Sequence, residues 1–186
     1  ETTFGYSSSS SKMEQTMRKV TKLVPYFIVV FGIAFFVQLF IIRYLPNGLY
    51  RVAKRLSGKP YNTFIHPPKT NAKLRKVVLP NPDFIYSALF YDVSNGDVVV
   101  SGEWPDTSQY ACIGIYGNNL QPYYVMNNRH TLDGKFRFRL TSSSESHTDM
   151  SVVKAQSEKG SILIRMLVTD SLQIVTAHRI QQGQQA

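Results

Sequence analysis

The side chains that could do chemistry are few, and most follow residue 80. Asp83, Asp92, Asp97, Glu103 and Asp106 lie close together in sequence, and a pair of carboxylates can divide the roles of general acid and base. Most of them stand beside turn residues, where aspartate is favoured because its carboxylate accepts backbone N–H groups. The four histidines, His66, His130, His147 and His178, are scattered, without the spacing of metal ligands. There is no G-x-S-x-G, no phosphate-binding P-loop and no G-x-G-x-x-G. Cys112, the single cysteine, sits in the apolar stretch Ala-Cys-Ile-Gly-Ile and reads as a small core residue. With no second cysteine, cysteine content says nothing about the redox compartment. The reading assigns no catalytic residue, metal or cofactor and expects a protein that is not an enzyme.

What remains is a surface that could recognise something. Asn81, Asp83 and Tyr86, with Tyr116, Asn118, Tyr123, Asn127 and Arg129, form a tyrosine- and asparagine-rich set able to stack on and hydrogen-bond a glycan or a lipid. A concave pocket lined by Tyr86, Tyr116, Tyr123 and Arg129 would favour a ligand-binding module. A flat or protein-covered surface would favour a partner-binding one. The plainer account gives the asparagines to turns and the tyrosines to the core. An enzyme built on Asp83 with Tyr86 is the weakest reading, because it needs Asp83 in a cleft with a perturbed pKa.

The elements that must carry this set are β-strands. Phe84–Val93 is rich in aromatic and β-branched residues, and Ser94-Asn95-Gly96-Asp97 predicts a hairpin turn into Val98–Val100. Gln109–Tyr116, Tyr123–Asn127, Lys135–Leu140, Val152–Gln156 and Ser161–Val168 complete about seven short strands, the spacing of a small β-sandwich or barrel-like domain over 81–186. Lys135–Leu140 alternates strictly, giving one cationic and one apolar face. Ser171–Ile180 reads as a closing helix capped by Asp170, and 181–186 as a frayed end.

Upstream lies a different kind of sequence. Leu23–Ile42 holds no charged side chain, and twenty helical residues at about 1.5 Å each match the roughly 30 Å hydrocarbon core of a bilayer. The run is expected to be a retained single transmembrane helix over 23–44, with Pro25 in its first turn and Tyr26 and Tyr44 at headgroup depth. Arg43-Tyr44-Leu45-Pro46 is not a small-residue cleavage site, which argues against a signal peptide. Residues 1–22 read as a flexible basic segment, and 45–80 as a basic juxtamembrane helix followed by a proline-rich linker. Tyr44–Gly48 is expected to end the membrane helix. Leu49, Val52, Ala53 and Leu56 then form an apolar stripe suited to a helix on the membrane surface or docked on its own domain.

The net charge of +9 is unevenly placed. Arg18, Lys19, Lys22, Arg43, Arg51, Lys54 and Arg55 flank the apolar run, whereas residues from Asn81 onward carry 8 basic and 10 acidic side chains. This layout argues for anionic lipid or an acidic protein surface as partner and against nucleic acid. A single span, a nearly neutral β domain and the lack of a catalytic constellation together favour a non-catalytic subunit or accessory factor of a larger membrane complex. Gly32, Ala34 and Gln38 offer a helix-packing face, and a hetero-oligomer is expected rather than a monomer.

The segment from Asn81 to Asn128 resembles the family called domain of unknown function 1254. The resemblance rests on Asn81, Pro82, Asp83, Tyr86 and Ser87, then Asp92, Ser94, Gly96, Val98 and Val99, then Pro105, Asp106, Tyr110, Asn118 and Asn119. The layout is similar to the short membrane-anchored members found in alphaproteobacteria. The resemblance implies a β-rich domain in the periplasm on a bacterial inner-membrane anchor with a cytoplasmic N-terminus. It carries no reaction, and larger members have a second β domain. A count of basic residues alone points the other way, since nine lie between Arg43 and Lys76 and only four precede the span.

Overall fold

The computed structural model describes residues 6–70, 81–130, 133–143 and 151–186. Lys73, Arg75, Lys76 and Pro80 of the expected linker, and most of the polar loop after Thr141, lie outside them. The chain divides into two units, residues 1–45 and 46–186.

Helix α1 runs from Tyr6 to Ser57, 52 residues. It is longer at both ends than the sequence predicts. Residues 6–22 are helical rather than flexible, so Pro25 sits inside the helix. The expected stop at Tyr44–Gly48 does not occur, because a proline removes one donor and strains one turn but leaves the remaining ladder able to propagate. Gly48 has no positive φ, and the helix ends instead at Gly58, with φ +62° and its N–H donating to Arg55 O at 3.2 Å. Ser57-Gly58-Lys59-Pro60 is the true stop signal: a left-handed glycine followed by a proline. Tyr50, 4 % exposed, seats the last turns of α1 on the β domain, edge-on to the Phe90 ring and donating its hydroxyl to Gly160 O at 3.2 Å.

The β domain consists of two sheets enclosing one core. In the five-stranded sheet the order is β1 (Phe64–Ile65), β2 (Phe84–Asp92), β8 (Lys159–Leu167), β4 (Ala111–Gly117) and β5 (Pro122–Asn127), all antiparallel. In the three-stranded sheet β6 (Lys135–Thr141) lies between β3 (Val98–Glu103), antiparallel, and β7 (Ser151–Lys154), parallel. Alternation sets the faces: Ile85, Leu89 and Tyr91 of β2 and Ile162, Ile164 and Met166 of β8 meet Val98, Val100, Phe136, Phe138 and Leu140 from the facing sheet. The expected hairpin is absent. β2 pairs with β8 and β3 with β6, so the Asn95-Gly96 turn carries the chain from one sheet to the other. Asp92 Oδ1 holds that corner by accepting from the Ser94 amide (3.0 Å) and hydroxyl (2.6 Å).

Part of the expected linker is sheet edge. Asn62, at φ 57°, mimics a strand partner: its Nδ2 donates to Asp92 O (3.0 Å) and its Oδ1 accepts from Asp92 N (2.9 Å). β1 then pairs Phe64 with Leu89.

Helix α2 (Ser171–Gln182) starts at the predicted cap, where Asp170 Oδ1 accepts from Gln173 N at 2.8 Å. Asp170→Ala should lower stability by about 1 kcal/mol, read as a lower urea midpoint with an unchanged slope. The end after α2 is not frayed. Gln181 and Gln184 are buried, and Gln185 exchanges two 3.0 Å backbone hydrogen bonds with Ser101. Amide burial and main-chain pairing leave no hydropathy signal, so the sequence pattern misses this anchor.

Candidate functional site

The structure disperses the predicted tyrosine–asparagine set. Asn81 and Asp83 form an exposed turn: Asn81 Oδ1 accepts from Asp83 N (2.9 Å), and the Asn81 amide donates to Tyr86 OH (3.1 Å). Asp83 therefore lies on a surface turn rather than in a cleft. Asn118 occupies the exposed turn after β4, where its N–H reaches Ser157 Oγ at 3.2 Å. Tyr123 points inward, its hydroxyl 3.0 Å from that of Tyr91, whose O–H also reaches Tyr116 O at 3.3 Å. Burial pushes the phenols of both Tyr91 and Tyr123 up from their ordinary pKa, so both stay protonated donors. The Tyr116 ring lies over Gly114, where a Cβ would come within 2.9 Å of it. Tyr123 turns to the core while Tyr86 lies on the outer face of the sheet, so the two do not line one pocket with Tyr116 and Arg129. Shallow, open hollows lie at residues 17–22 of α1 and at residues 51–61, where α1 ends.

Three members of the set do come to one row, on an outer face that Tyr116 shares. Register places Tyr86 beside Arg165, Arg165 beside Cys112, and Cys112 beside Asn127, in one row across the outer face of the five-stranded sheet. Arg129 joins its end, with its guanidinium 5.9 Å from the Tyr110 ring and its amide donating to Asn127 Oδ1 (3.0 Å). A hydrogen bond with Cys112, and then burial, raise the Tyr110 pKa against the opposing pull of Arg165 and Arg129. Arg165 Nε is buried with no hydrogen-bond partner among the described residues. Two guanidiniums and two phenols on this face suit a carboxylate-bearing partner. Arg165 and Tyr110 were missed because only the cross-strand register of β8 and β4 brings them to the row.

A buried polar network was also invisible in sequence. Ser87, fully buried on β2, lies 3.2 Å from His66 Nδ1 and 3.3 Å from Gln181 Nε2; Gln181 Nε2 also donates to Tyr86 O (2.9 Å), and its Oε1 meets His178 Nδ1 at 2.9 Å. With Gln181 donating to Ser87, the serine hydroxyl is free to donate to His66 Nδ1. Serine beside imidazole is the arrangement of an activated nucleophile. Here Ser87 has no exposed surface, so no substrate carbonyl reaches it, and the network serves to tie β1, β2 and α2 together. Its partners lie 21 and 94 residues apart in the chain, beyond any local motif.

Burial lowers the His66 pKa below its ordinary value near 6.5. The folded state therefore takes up a proton less readily than the unfolded chain. Stability is full above about pH 6.5 and declines as pH falls from there toward the depressed folded pKa. His66→Gln should flatten this slope, measured as urea midpoints at several pH values. Asp92 acts in a lower window: burial raises its pKa, but the Ser94 hydrogen bonds and Lys159, 3.2 Å away, outweigh that and leave it depressed.

With this geometry in hand, comparison with known proteins assigns the family. The family model described as a protein of unknown function, DUF1254, matches residues 61–186. The chain belongs to this family. No curated protein matches it. Its fold is similar to that of the VPA0106 protein from Vibrio parahaemolyticus, with a TM-score of 0.60 at 15 % identity over 78 % of this chain and 35 % of that one. A structure of an uncharacterized protein from Burkholderia cenocepacia also matches, with a TM-score of 0.46 at 17 % identity over 70 % of this chain and 37 % of that one. The chain thus spans about a third of the length of the solved structures it matches.

Proposed function

We propose that the chain is a single-span, membrane-anchored, non-catalytic subunit or accessory factor of a larger membrane protein complex, placed in a bacterial inner membrane with its β domain in the periplasm. The observation that carries this reading is the apolar run of α1. None of its most apolar stretch is buried; Phe31 and Phe36, for example, are 70 % and 71 % exposed. So much aromatic and aliphatic surface requires lipid, a partner helix or both. Gly32, where an added Cβ would meet nothing within 4 Å, leaves room for close helix approach beside Ala34, with Gln38 as an interhelical hydrogen-bonding group. Leu49, Val52 and Leu56 extend the exposed apolar surface beyond the span.

A photo-crosslinking residue at Phe36, activated in intact membranes, should give a discrete protein adduct. A crosslinker at Val125, exposed on β5, reports whether the β domain takes part. Adducts to lipid alone at both positions would contradict the subunit reading. Protease added to intact spheroplasts should digest the β domain, and protection would reverse the orientation. A second reading rests on the Arg165–Arg129 row: a periplasmic module that binds an anionic ligand, such as an acidic glycan or a lipid headgroup, on the outer sheet face.

A further inference from the structure

We infer that the reversal joining α1 to β1 is a binding site for the phosphate headgroup of an anionic phospholipid. The inference rests on the membrane-anchored reading and gives it a lipid partner. A shallow, open hollow is lined by Arg51, Lys54, Arg55, Gly58, Lys59 and Tyr61. Four of the six lining residues are cationic and none is acidic.

Helix-end electrostatics explain only part of this cluster. Cations near a helix C-terminus offset its partial charge of roughly −0.5, which accounts for Lys54 and Arg55 in the last turn. It does not account for Arg51, one turn earlier, or for Lys59 beyond the helix. Four positive charges exceed that half charge severalfold, so the hollow stays strongly positive. Arg51 and Arg55 stand at i and i+4, where like charges repel, and an anion between them would relieve the repulsion.

The geometry is prearranged. Gly58, at φ +62°, turns the chain back on itself, and Lys54 Nζ donates to Lys59 O at 2.5 Å while lying 4.4 Å from the centre of the Tyr61 ring. A nearby carboxylate, Asp92, is engaged by Lys159 at 3.2 Å, and that lysine also lies 5.2 Å from the Tyr61 ring. Among the described residues, Arg51, Arg55 and Lys59 have no ion-pair partner. Two guanidiniums that can chelate phosphate oxygens, with a tyrosine beside them, match the chemistry of a phosphodiester. The basic lining begins nine residues after the apolar run ending at Ile42, and the membrane-anchored reading makes lipid the source of that phosphate.

The test uses the full chain in mild detergent, with phosphatidylglycerol or phosphatidylcholine of identical acyl chains added and bound lipid counted by native mass spectrometry. Phosphatidylglycerol should be retained at least tenfold more than phosphatidylcholine. The triple variant Arg51→Gln, Arg55→Gln, Lys59→Gln should bring the two near parity, while Lys135→Gln with Arg137→Gln on the outer face of β6 should not. Arg51→Lys with Arg55→Lys keeps the charge but loses the fork, and should retain a reduced preference. Equal retention of both lipids by the unmodified chain overturns the site. Displacement of phosphatidylglycerol by millimolar inorganic phosphate overturns the lipid source, as does an acidic peptide that outcompetes it. Alkaline carbonate extraction separates the two claims. A chain that resists extraction but shows no lipid preference refutes this site alone, whereas a released chain refutes the anchor and the lipid source with it.

Discussion

Gly160→Val is expected to abolish folding of the β domain. Gly160 lies on the inner face of β8, opposite Tyr91 on one side and Gly117 on the other. A Cβ there would overlap the Tyr116 carbonyl oxygen and the Tyr91 phenol. Neither can yield cheaply: the carbonyl belongs to the β4 ladder, and Tyr91 is fully buried and hydrogen-bonded to Tyr123. Even alanine should cost about 3 kcal/mol or more, at the upper end of core overpacking, and valine adds two further methyl groups. Against a total stability of ~5–15 kcal/mol, valine leaves little or no folded domain. The measurement is near-ultraviolet circular dichroism and urea unfolding of the full chain, with Gly48→Ala as control because nothing lies within 4 Å of its added Cβ. An unchanged midpoint for Gly160→Val would show that the packing around Tyr91 and Tyr116 is wrong.

The second large effect concerns the membrane. Phe31→Arg combined with Phe35→Arg should move the chain from the carbonate-resistant membrane pellet to the soluble fraction. Both positions lie near the middle of the apolar run, and each arginine at a helix centre costs ~2.5–3.5 kcal/mol to insert. Two together cost ~5–7 kcal/mol, a shift of roughly 10⁴- to 10⁵-fold in the insertion equilibrium. Phe31→Leu with Phe35→Leu keeps the run apolar and should change nothing. A double-arginine variant still resisting extraction would mean that something other than this run holds the chain to the membrane.

Some of this was legible in the sequence and some was not, for physical reasons. Alternation is a local property, so β6 is visible from Lys135-Phe136-Arg137-Phe138-Arg139-Leu140, and β2 and β8 from their β-branched and aromatic runs. The Asp170 cap is equally local, one carboxylate and one amide three residues apart. Pairing is not local. Asn95-Gly96 has the composition of a hairpin turn, but which strands it joins depends on β8 and β6, far away in the chain. Pro46 and Gly48 carry stop signals that helix continuity overrides, and Gly58 carries the one that acts. The candidate site suffered most. Tyr123 faces the core at a shift in the β4–β5 register, where Ile115 pairs with Tyr124 and Tyr116 with Pro122, which no composition reveals. Arg165 and Tyr110 reach the outer face through cross-strand register. The His66–Ser87–Gln181 network joins three distant segments and shows no spacing at all.

The central claim is that this chain works as one part of a membrane assembly. Its most direct test is the mass of the full chain purified from its own membranes in mild detergent, compared with the same chain carrying Phe31→Arg and Phe35→Arg. The account predicts a discrete species holding this chain and at least one different polypeptide in fixed ratio, lost in the double-arginine variant. A species containing this chain alone, with or without bound lipid, would contradict it.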